Sequence, residues 1–171
     1  ARTLTKAFAA QGVRTIPTSL QACGMETQGA AGLNIPGLGG RLPDAVFVRT
    51  MSGGTFQAVT LRLGILHALR ENGVLVWNDA RAIERCVDKS MTTFLLGAAG
   101  LPVPQSWAVE GFDAARRIVA DETPVGPLVL KPLFGSQGRG LLLIRGVADL
   151  PPAETVADVY YLQRFVAGAG P

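Results

Sequence analysis

Short apolar runs and one long helical periodicity organise the first half of the chain. Residues 45–49 and 74–77 are continuous apolar runs of the β type. Between them, apolar residues recur every three or four positions, which predicts a helix over 55–72. These residues are Phe56, Val59, Leu63, Leu66 and Leu69. Gly73 then ends the helix, and the strand–helix–strand order is typical of a parallel α/β sheet.

Less regular segments surround this unit. Residues 1–12 predict the end of a helix that stops at Gly12, with a short strand at 13–17 after it. Residues 23–41 are rich in glycine and predict a long loop. Beyond the second β-type run, Asn78 is expected to cap a short helix over 80–86.

The second half alternates short strands with helices around a glycine-rich turn. Asp88 is expected to cap a helix over 89–99 that ends at Gly100. The remaining pattern predicts strands at 106–109, 127–131, 141–144 and 159–166, a helix at 112–121, and a helix or loop at 147–155. We therefore expect two domains, 1–87 and 88–171. The start inside a helix without Met, and the end directly after a strand, predict a piece cut from a longer protein at both ends.

The composition argues against some classes of protein, such as nucleic-acid-binding and membrane-spanning proteins. Of the 171 residues, 48% are hydrophobic and 17% charged, which is enough apolar content for a packed core. The net charge of +3, from thirteen Arg and three Lys, is too weak and dispersed for a nucleic-acid surface but suits an anionic small molecule. No run of about 18 apolar residues is present, so no membrane span is expected. Cys23 and Cys86 lack CxxC spacing, which favours a reduced, cytoplasmic protein.

The segment 128–144 holds the clearest candidate chemistry. An apolar strand ends in Lys131, a loop with three glycines follows at 135–140, and an apolar strand returns. Glycines let backbone N–H groups approach phosphate oxygens, and a lysine supplies a point charge for phosphate. The alternative is an ordinary hairpin turn with a solvent-reaching lysine, although two loop residues usually suffice for a hairpin. The loop is neither a P-loop nor a dinucleotide fingerprint, because it opens no helix.

Lys89 is a second candidate cation. It occupies the first position of a predicted helix, where a positive charge is unfavourable. Either Asp88 neutralises it, or an anion binds between Lys89 and the helix N-terminus.

The order of these motifs resembles the ATP-grasp superfamily, and the segment GSQGRG is similar to its RimK-like glutamate-ligase branch. The segment RTMSGGTF at 49–56 also resembles that branch. The five matching blocks are Asp88-Lys89, residues 100–104, Leu130-Lys131-Pro132, residues 134–140 and residues 162–166. The resemblance implies an α/β protein, with a parallel α/β (pre-ATP-grasp) domain followed by the first α+β subdomain of an ATP-grasp fold.

The resemblance also implies roles for individual residues. Lys89 and Lys131 would contact ATP phosphates, and the glycine loop would close over the β- and γ-phosphates. The segment 163–166 would recognise adenine through backbone groups. Arg49 and Ser52 would face the acceptor, with a surface ion pair as the alternative for Arg49. The implied nucleotide-binding residues are Lys89, Lys131, Gly135, Ser136, Gln137, Gly138, Gly140, Gln163, Arg164, Phe165 and Val166, and the implied catalytic residues are Lys131 and Arg49.

Some features depart from the family pattern or stay open. Leu130, Leu143 and Ile144 are candidates for the adenine wall or for ordinary core. Arg164 stands where the family usually has a Glu, which puts a side-chain contact to the ribose in doubt. The Mg²⁺ ligands of the family are expected beyond residue 171, and none is assigned in the chain.

The implied reaction is ATP-dependent ligation. A carboxylate attacks the γ-phosphate of ATP to give an acyl phosphate, and an amine, expected to be glutamate, displaces phosphate. The alternatives are an ATP-grasp ligase that uses another amine and a nucleotide-binding module without catalysis. The acceptor, a protein tail or a coenzyme, and the homo-oligomeric state stay open, and no nucleic-acid or membrane partner is expected.

Overall fold

The computed structural model of the chain describes residues 2–29, 31–135 and 137–168. The chain divides into two compact units, Ala1–Glu84 and Arg85–Pro171. Each unit has its own cluster of buried apolar side chains.

The first unit contains a parallel pair of strands joined by a long helix. Its elements are α1 (Arg2–Ala10), a 3₁₀ turn (Leu20–Ala22), β1 (Gly24–Met25), β2 (Leu33–Asn34), β3 (Ala45–Phe47), α2 (Phe56–Glu71), β4 (Leu75–Trp77) and the first part of α3 (Ala80–Val87). β3 and β4 pair in parallel, with Val46 opposite Val76. The strand–helix–strand order predicted from the sequence is therefore present.

Capping and an apolar stripe explain the helix α2. The hydroxyl oxygen of Thr55 accepts the N–H of Ala58 at 3.3 Å, which satisfies one of the unpaired donors at the helix start. Buried side chains then follow the helical repeat, and Ile65 and Leu66 are fully buried against the core. Gly73, at φ +78°, provides the left-handed residue that ends the helix.

The second unit is an antiparallel sheet with helices. Its elements after α3 are α4 (Lys89–Ala98), β5 (Ser106–Glu110), α5 (Phe112–Glu122), β6 (Leu128–Lys131), β7 (Leu142–Ile144), 3₁₀ turns at Val147–Asp149 and Ala153–Val156, and β8 (Val159–Arg164). The strand order is β5-β8-β6-β7, and every pairing is antiparallel. β6 and β7 form the predicted hairpin on either side of the glycine loop.

Successive side chains of this sheet point to opposite faces. One face packs under α5, whose Ala115 and Val119 are fully buried. The sheet residues of this core face are Leu128, Leu130, Ile144, Tyr160 and Leu162. The alternate residues, which include Lys131, Tyr161 and Gln163, therefore occupy the other face, and we call it the polar face.

Three local predictions were wrong. Residues 13–17 form no strand, and β1 and β2 pair within the predicted loop 23–41. Asp79 rather than Asn78 caps α3, because its carboxylate accepts the N–H of Arg81 at 2.9 Å. All three errors fall where short polar and glycine-rich stretches carry no apolar periodicity.

Candidate functional site

Lys131 lies at the end of β6 on the polar face. It pairs with Tyr161 of β8, while its neighbour Leu130 points into the core and is 2% exposed. The Lys131 ammonium donates a hydrogen bond to Oε1 of Gln163. The strand therefore ends with a cation on the face that α5 does not cover.

The loop after Lys131 depends on its glycines. Gly135, Gly138 and Gly140 all have positive φ values, of 134°, 68° and 72°. A Cβ at Gly140 would also lie 3.0 Å from Cγ of Pro132, so a side chain there would be both strained and crowded. Gln137, at φ 61°, adopts the same left-handed region. Ser136 lies outside the described residues.

Asp88 positions Lys89 by capping α4. Its Oδ1 accepts the N–H groups of Ser90 at 2.8 Å and Met91 at 3.2 Å, together with the Ser90 hydroxyl at 2.6 Å. No ion pair joins Asp88 to Lys89 among the described residues. The carboxylate is thus occupied by the helix N-terminus, and neutralisation of Lys89 through a direct contact does not occur.

The Lys89 ammonium instead contacts the base of the glycine loop. It donates to the carbonyl oxygens of Pro132 at 2.9 Å, Leu133 at 3.1 Å and Gly135 at 2.9 Å. Burial, followed by the positive charge of Lys131, lowers the pKa of Lys89, while Asp88 acts in the opposite direction. The positive charge of Lys131 thus disfavours the ammonium form of Lys89, as expected for two cations near one site.

The end of β8 is the predicted adenine segment. The N–H of Arg164 donates to Gln105, and the N–H of Phe165 donates to Pro127, at 2.8 and 3.0 Å. Within the described residues, the backbone of Val166 makes no hydrogen bond. Val166 is 64% exposed, so the chain is accessible to a ligand at this residue.

The Arg164 side chain turns toward α5. Its guanidinium donates to the carbonyl oxygens of Glu122 and Gly126, each at 2.9 Å, and pairs with the Glu122 carboxylate. It also stacks over Trp107 at 5.8 Å. These contacts fix the strand end from the core side, so any nucleotide role of this residue rests on its backbone.

The three candidates for the adenine wall lie on different faces of the sheet. Leu130 and Ile144 are 2% and 0% exposed in the core under α5, so the core alternative is correct for both. Leu143 alternates with Ile144, is 37% exposed and lies opposite Val129 on the polar face. Val129, which the sequence analysis did not single out, in turn lies opposite Gln163.

In the first unit, Arg49 precedes the loop that leads into α2. Arg49 is exposed and makes no ion pair among the described residues. Arg62 from α2 is 7% exposed and donates to the carbonyl oxygens of Ser52 and Gly53, so it holds this loop. A charged residue on the apolar stripe of a helix is a signal that could have singled out Arg62 from the sequence.

Residues 2–29, 31–135 and 137–168 contain no group of three or more His, Cys, Asp or Glu side chains that could hold a metal ion. None of the helices in this part of the chain has the length and apolar content that a membrane crossing requires.

Similarity to known proteins is extensive, although no family model matches the chain. The tetrahydromethanopterin:alpha-L-glutamate ligase of Methanosarcina acetivorans is 37% identical over 102 residues, which are 60% of this chain and 31% of that protein. The ATP-grasp ligase PsnB, solved with a minimal precursor, has a TM-score of 0.60 and 25% identity, and the match covers 98% of this chain and 60% of that one.

A RimK domain ATP-grasp protein from Sphaerobacter thermophilus has the same fold. Its TM-score is 0.66 at 23% identity, again over 98% of this chain and 60% of the other. The chain thus spans less than two thirds of the length of each of these relatives.

Proposed function

We propose that this chain, which has the ATP-grasp fold and is related to the RimK-like ligases, supplies the nucleotide-binding part of an ATP-dependent carboxylate–amine ligase. The predicted family resemblance and fold class are confirmed by the relatives described above. The activity of the whole protein is our proposal.

One observation carries the proposal. The Lys89 ammonium lies 2.9 Å from the carbonyl oxygen of Gly135, at the base of the glycine loop. Burial and then the charge of Lys131 lower the pKa of Lys89. Two ammonium groups and a glycine loop therefore gather at one end of the sheet, which is the arrangement that a polyphosphate neutralises.

The proposed reaction has two balanced steps. A carboxylate oxygen attacks the γ-phosphorus of ATP, which forms the acyl phosphate and releases ADP. The amine nitrogen then attacks the acyl carbon, which forms the amide and releases phosphate. Charge neutralisation and positioning dominate such phosphoryl transfers, and Lys89, Lys131 and the loop N–H groups suit that task.

Mg²⁺, bound together with the nucleotide, would supply positive charge that neutralises the phosphates. Residues that could hold it do not cluster within the described part of the chain, so we derive no step through the metal. We assign the chain the ammonium and backbone contacts to the phosphates.

The substrates are proposed from chemistry and from the relatives. Glutamate is the proposed amine because the relative from Methanosarcina acetivorans is named a glutamate ligase. Arg49, an exposed guanidinium without an ion pair among the described residues, is proposed to bind the acceptor carboxylate. Val166 is proposed to bind adenine through its backbone, and Gly135, Gln137, Gly138 and Gly140 to bind phosphate.

The experiment compares Lys131→Met with Lys6→Met in the protein that carries this chain. Calorimetry with ATP and Mg²⁺ should show about tenfold to hundredfold weaker binding for Lys131→Met, because hydrogen bonds to charged groups contribute about 1.5–3 kcal/mol. Lys6 is exposed on α1 and serves as the matched control, with unchanged affinity.

Phosphate release with glutamate and candidate acceptors then tests catalysis. ATP-dependent amide formation supports the ligase. Equal ATP affinity in the parent protein and Lys131→Met contradicts the phosphate role of Lys131. Nucleotide binding without turnover, across amines and acceptors, favours the non-catalytic module.

A further inference from the structure

We propose that Gln163 is a positioning residue that holds the Lys131 ammonium in a fixed direction on the polar face. The Lys131 ammonium donates to Oε1 of Gln163, and both side chains are partly buried. Its consequence for nucleotide binding rests on the proposed function, whereas the position of the ammonium does not.

The orientation of the Gln163 amide follows from its other partners. Its Nε2 donates to Oγ of Ser106 at 2.9 Å and to Oη of Tyr161 at 3.3 Å. The Ser106 hydroxyl donates its own hydrogen to the carbonyl of Pro104 at 2.8 Å, so its oxygen is left to accept. A flipped amide would place an NH₂ group against the ammonium, where donor faces donor. Only one amide orientation therefore satisfies every group.

Tyr161 fixes the network to a helix. It is 2% exposed, and its hydroxyl lies 2.7 Å from the hydroxyl of Thr93 on α4. The Tyr161 oxygen accepts from Gln163, and in its hydrogen bond with Thr93 either hydroxyl can be the donor. The amide is consequently held by strands β5 and β8 and, through Tyr161, by α4.

Strand register makes this arrangement possible. Gln163 lies opposite Ser106 on β5 and opposite Val129 on β6, while Lys131 lies opposite Tyr161. Lys131 and Gln163 are thus diagonal neighbours on one face, a separation that long side chains span. Two short flanking residues, Ser106 and Val129, leave room for this contact.

The physical effect is pre-organisation. A lysine side chain has high rotamer entropy, and fixing it costs free energy that a ligand would otherwise supply. Gln163 fixes the side chain before the ligand arrives, and its neutral oxygen leaves the charge of Lys131 available to an anion. A carboxylate at the same position would compete with that anion instead.

The first measurement needs no nucleotide. Each of the three lysines of this chain gives an ammonium signal in protein labelled with ¹⁵N-lysine, and that of Lys131 is identified by its loss in Lys131→Met. We expect a protected Lys131 signal in the parent protein and its loss through fast exchange in Gln163→Met. Ser106→Ala should weaken the protection without abolishing it, because Tyr161 still holds the amide.

The second measurement is ATP affinity by calorimetry, with Gln11→Met, at an exposed turn, as the matched control. Gln163→Met should weaken ATP binding about tenfold, in line with an immobilised lysine rotamer plus part of a charged hydrogen bond. Gln163→Glu should weaken it at least as much, because the new carboxylate pairs with Lys131. Gln11→Met should match the parent protein.

The outcomes separate this inference from the proposed function. Unchanged Lys131 protection in folded Gln163→Met overturns the inference, whatever the nucleotide data show. If the parent protein binds no ATP, the proposed function falls, while the Lys131 signal still decides the role of Gln163. A raised KM for ATP with unchanged kcat in Gln163→Met supports positioning, since general loss of structure would lower both activity and folded fraction.

Discussion

The two faces of the β5-β8-β6-β7 sheet arise from the same strands and differ in what fills them. On the core face, Leu128, Leu130 and Leu162 are 0–2% exposed beneath α5. On the polar face, Lys131 and Gln163 meet in a hydrogen-bond network that reaches Thr93. Apolar burial beneath α5 stabilises the strands on the core face, while the polar face is joined by side-chain hydrogen bonds.

The largest expected effect comes from Leu162→Ala, which alters only the core face. Leu162 is fully buried, so its truncation should lower the free energy of unfolding by about 2–5 kcal/mol. Urea unfolding measures this change. The ATP affinity of the folded fraction should stay the same, because the polar face is unaltered.

Leu101→Ala is the matched control for this prediction. Leu101 is 53% exposed after α4, so its truncation should change stability by less than about 0.5 kcal/mol. Equal losses in the two variants would contradict the assignment of Leu162 to a dry core. Loss of ATP binding at unchanged stability would contradict the independence of the two faces.

Sequence reasoning predicted the core face better than the polar face. Apolar patterns, helix end signals and glycine-rich turns are local signals, and together they located α2, α4, α5 and the β6–β7 hairpin near their observed bounds. The Gln163–Lys131 contact depends on the register between strands that lie 32 residues apart in the chain, which no local pattern specifies. The same limitation explains why Leu130 and Ile144 were candidates for the adenine wall.

The sequence predicted the glycine loop, whereas for Lys89 it predicted the charge and not the contacts. The glycines at 135, 138 and 140 predicted a glycine-rich loop, and in the structure all three have positive φ. The contacts of Lys89 with the loop carbonyls join segments 43–46 residues apart, so the sequence suggested the cation without its partners. The order of the motifs was enough to predict the resemblance to ATP-grasp ligases. The contacts of Lys89 could be read only from the three-dimensional structure.

The next largest expected effect on the free energy of unfolding concerns Arg164. Its side chain lies on the core side of β8. Its guanidinium holds two carbonyl oxygens and the Glu122 carboxylate, at 19% and 25% side-chain exposure for the pair. Arg164→Met should lower the free energy of unfolding by about 2 kcal/mol, and Arg164→Lys by less, because lysine keeps the charge but not the fork. Urea unfolding at two salt concentrations measures both.

The ATP affinity of the Arg164 variants should change much less than their stability. Recognition of adenine through the backbone predicts little change in either variant. Arg116→Met is the control, since the Arg116–Asp113 pair is exposed and should contribute little. A strong loss of affinity in Arg164→Lys, with stability preserved, would show instead that the guanidinium contacts the nucleotide.

The smallest expected effect is the uptake of a proton by Lys89 when ATP binds. Burial, then the charge of Lys131, lowers the pKa of Lys89 in the free folded protein, with Asp88 opposing. Between this lowered pKa and the ordinary lysine value, the unfolded chain binds more protons, so stability should rise with pH through that window. A bound polyphosphate reverses the shift, because its negative charge favours the ammonium form. Binding in that window should therefore take up a proton, and ATP affinity should fall as pH rises.

Calorimetry in two buffers with different ionisation enthalpies measures this proton uptake just below the ordinary lysine pKa. Lys89→Arg should bind ATP without the uptake, because a guanidinium stays charged throughout the range. Lys6→Arg, on the exposed side of α1, should keep it. Equal uptake in Lys89→Arg and the parent protein would mean that the proton goes to another group, which contradicts the prediction for Lys89.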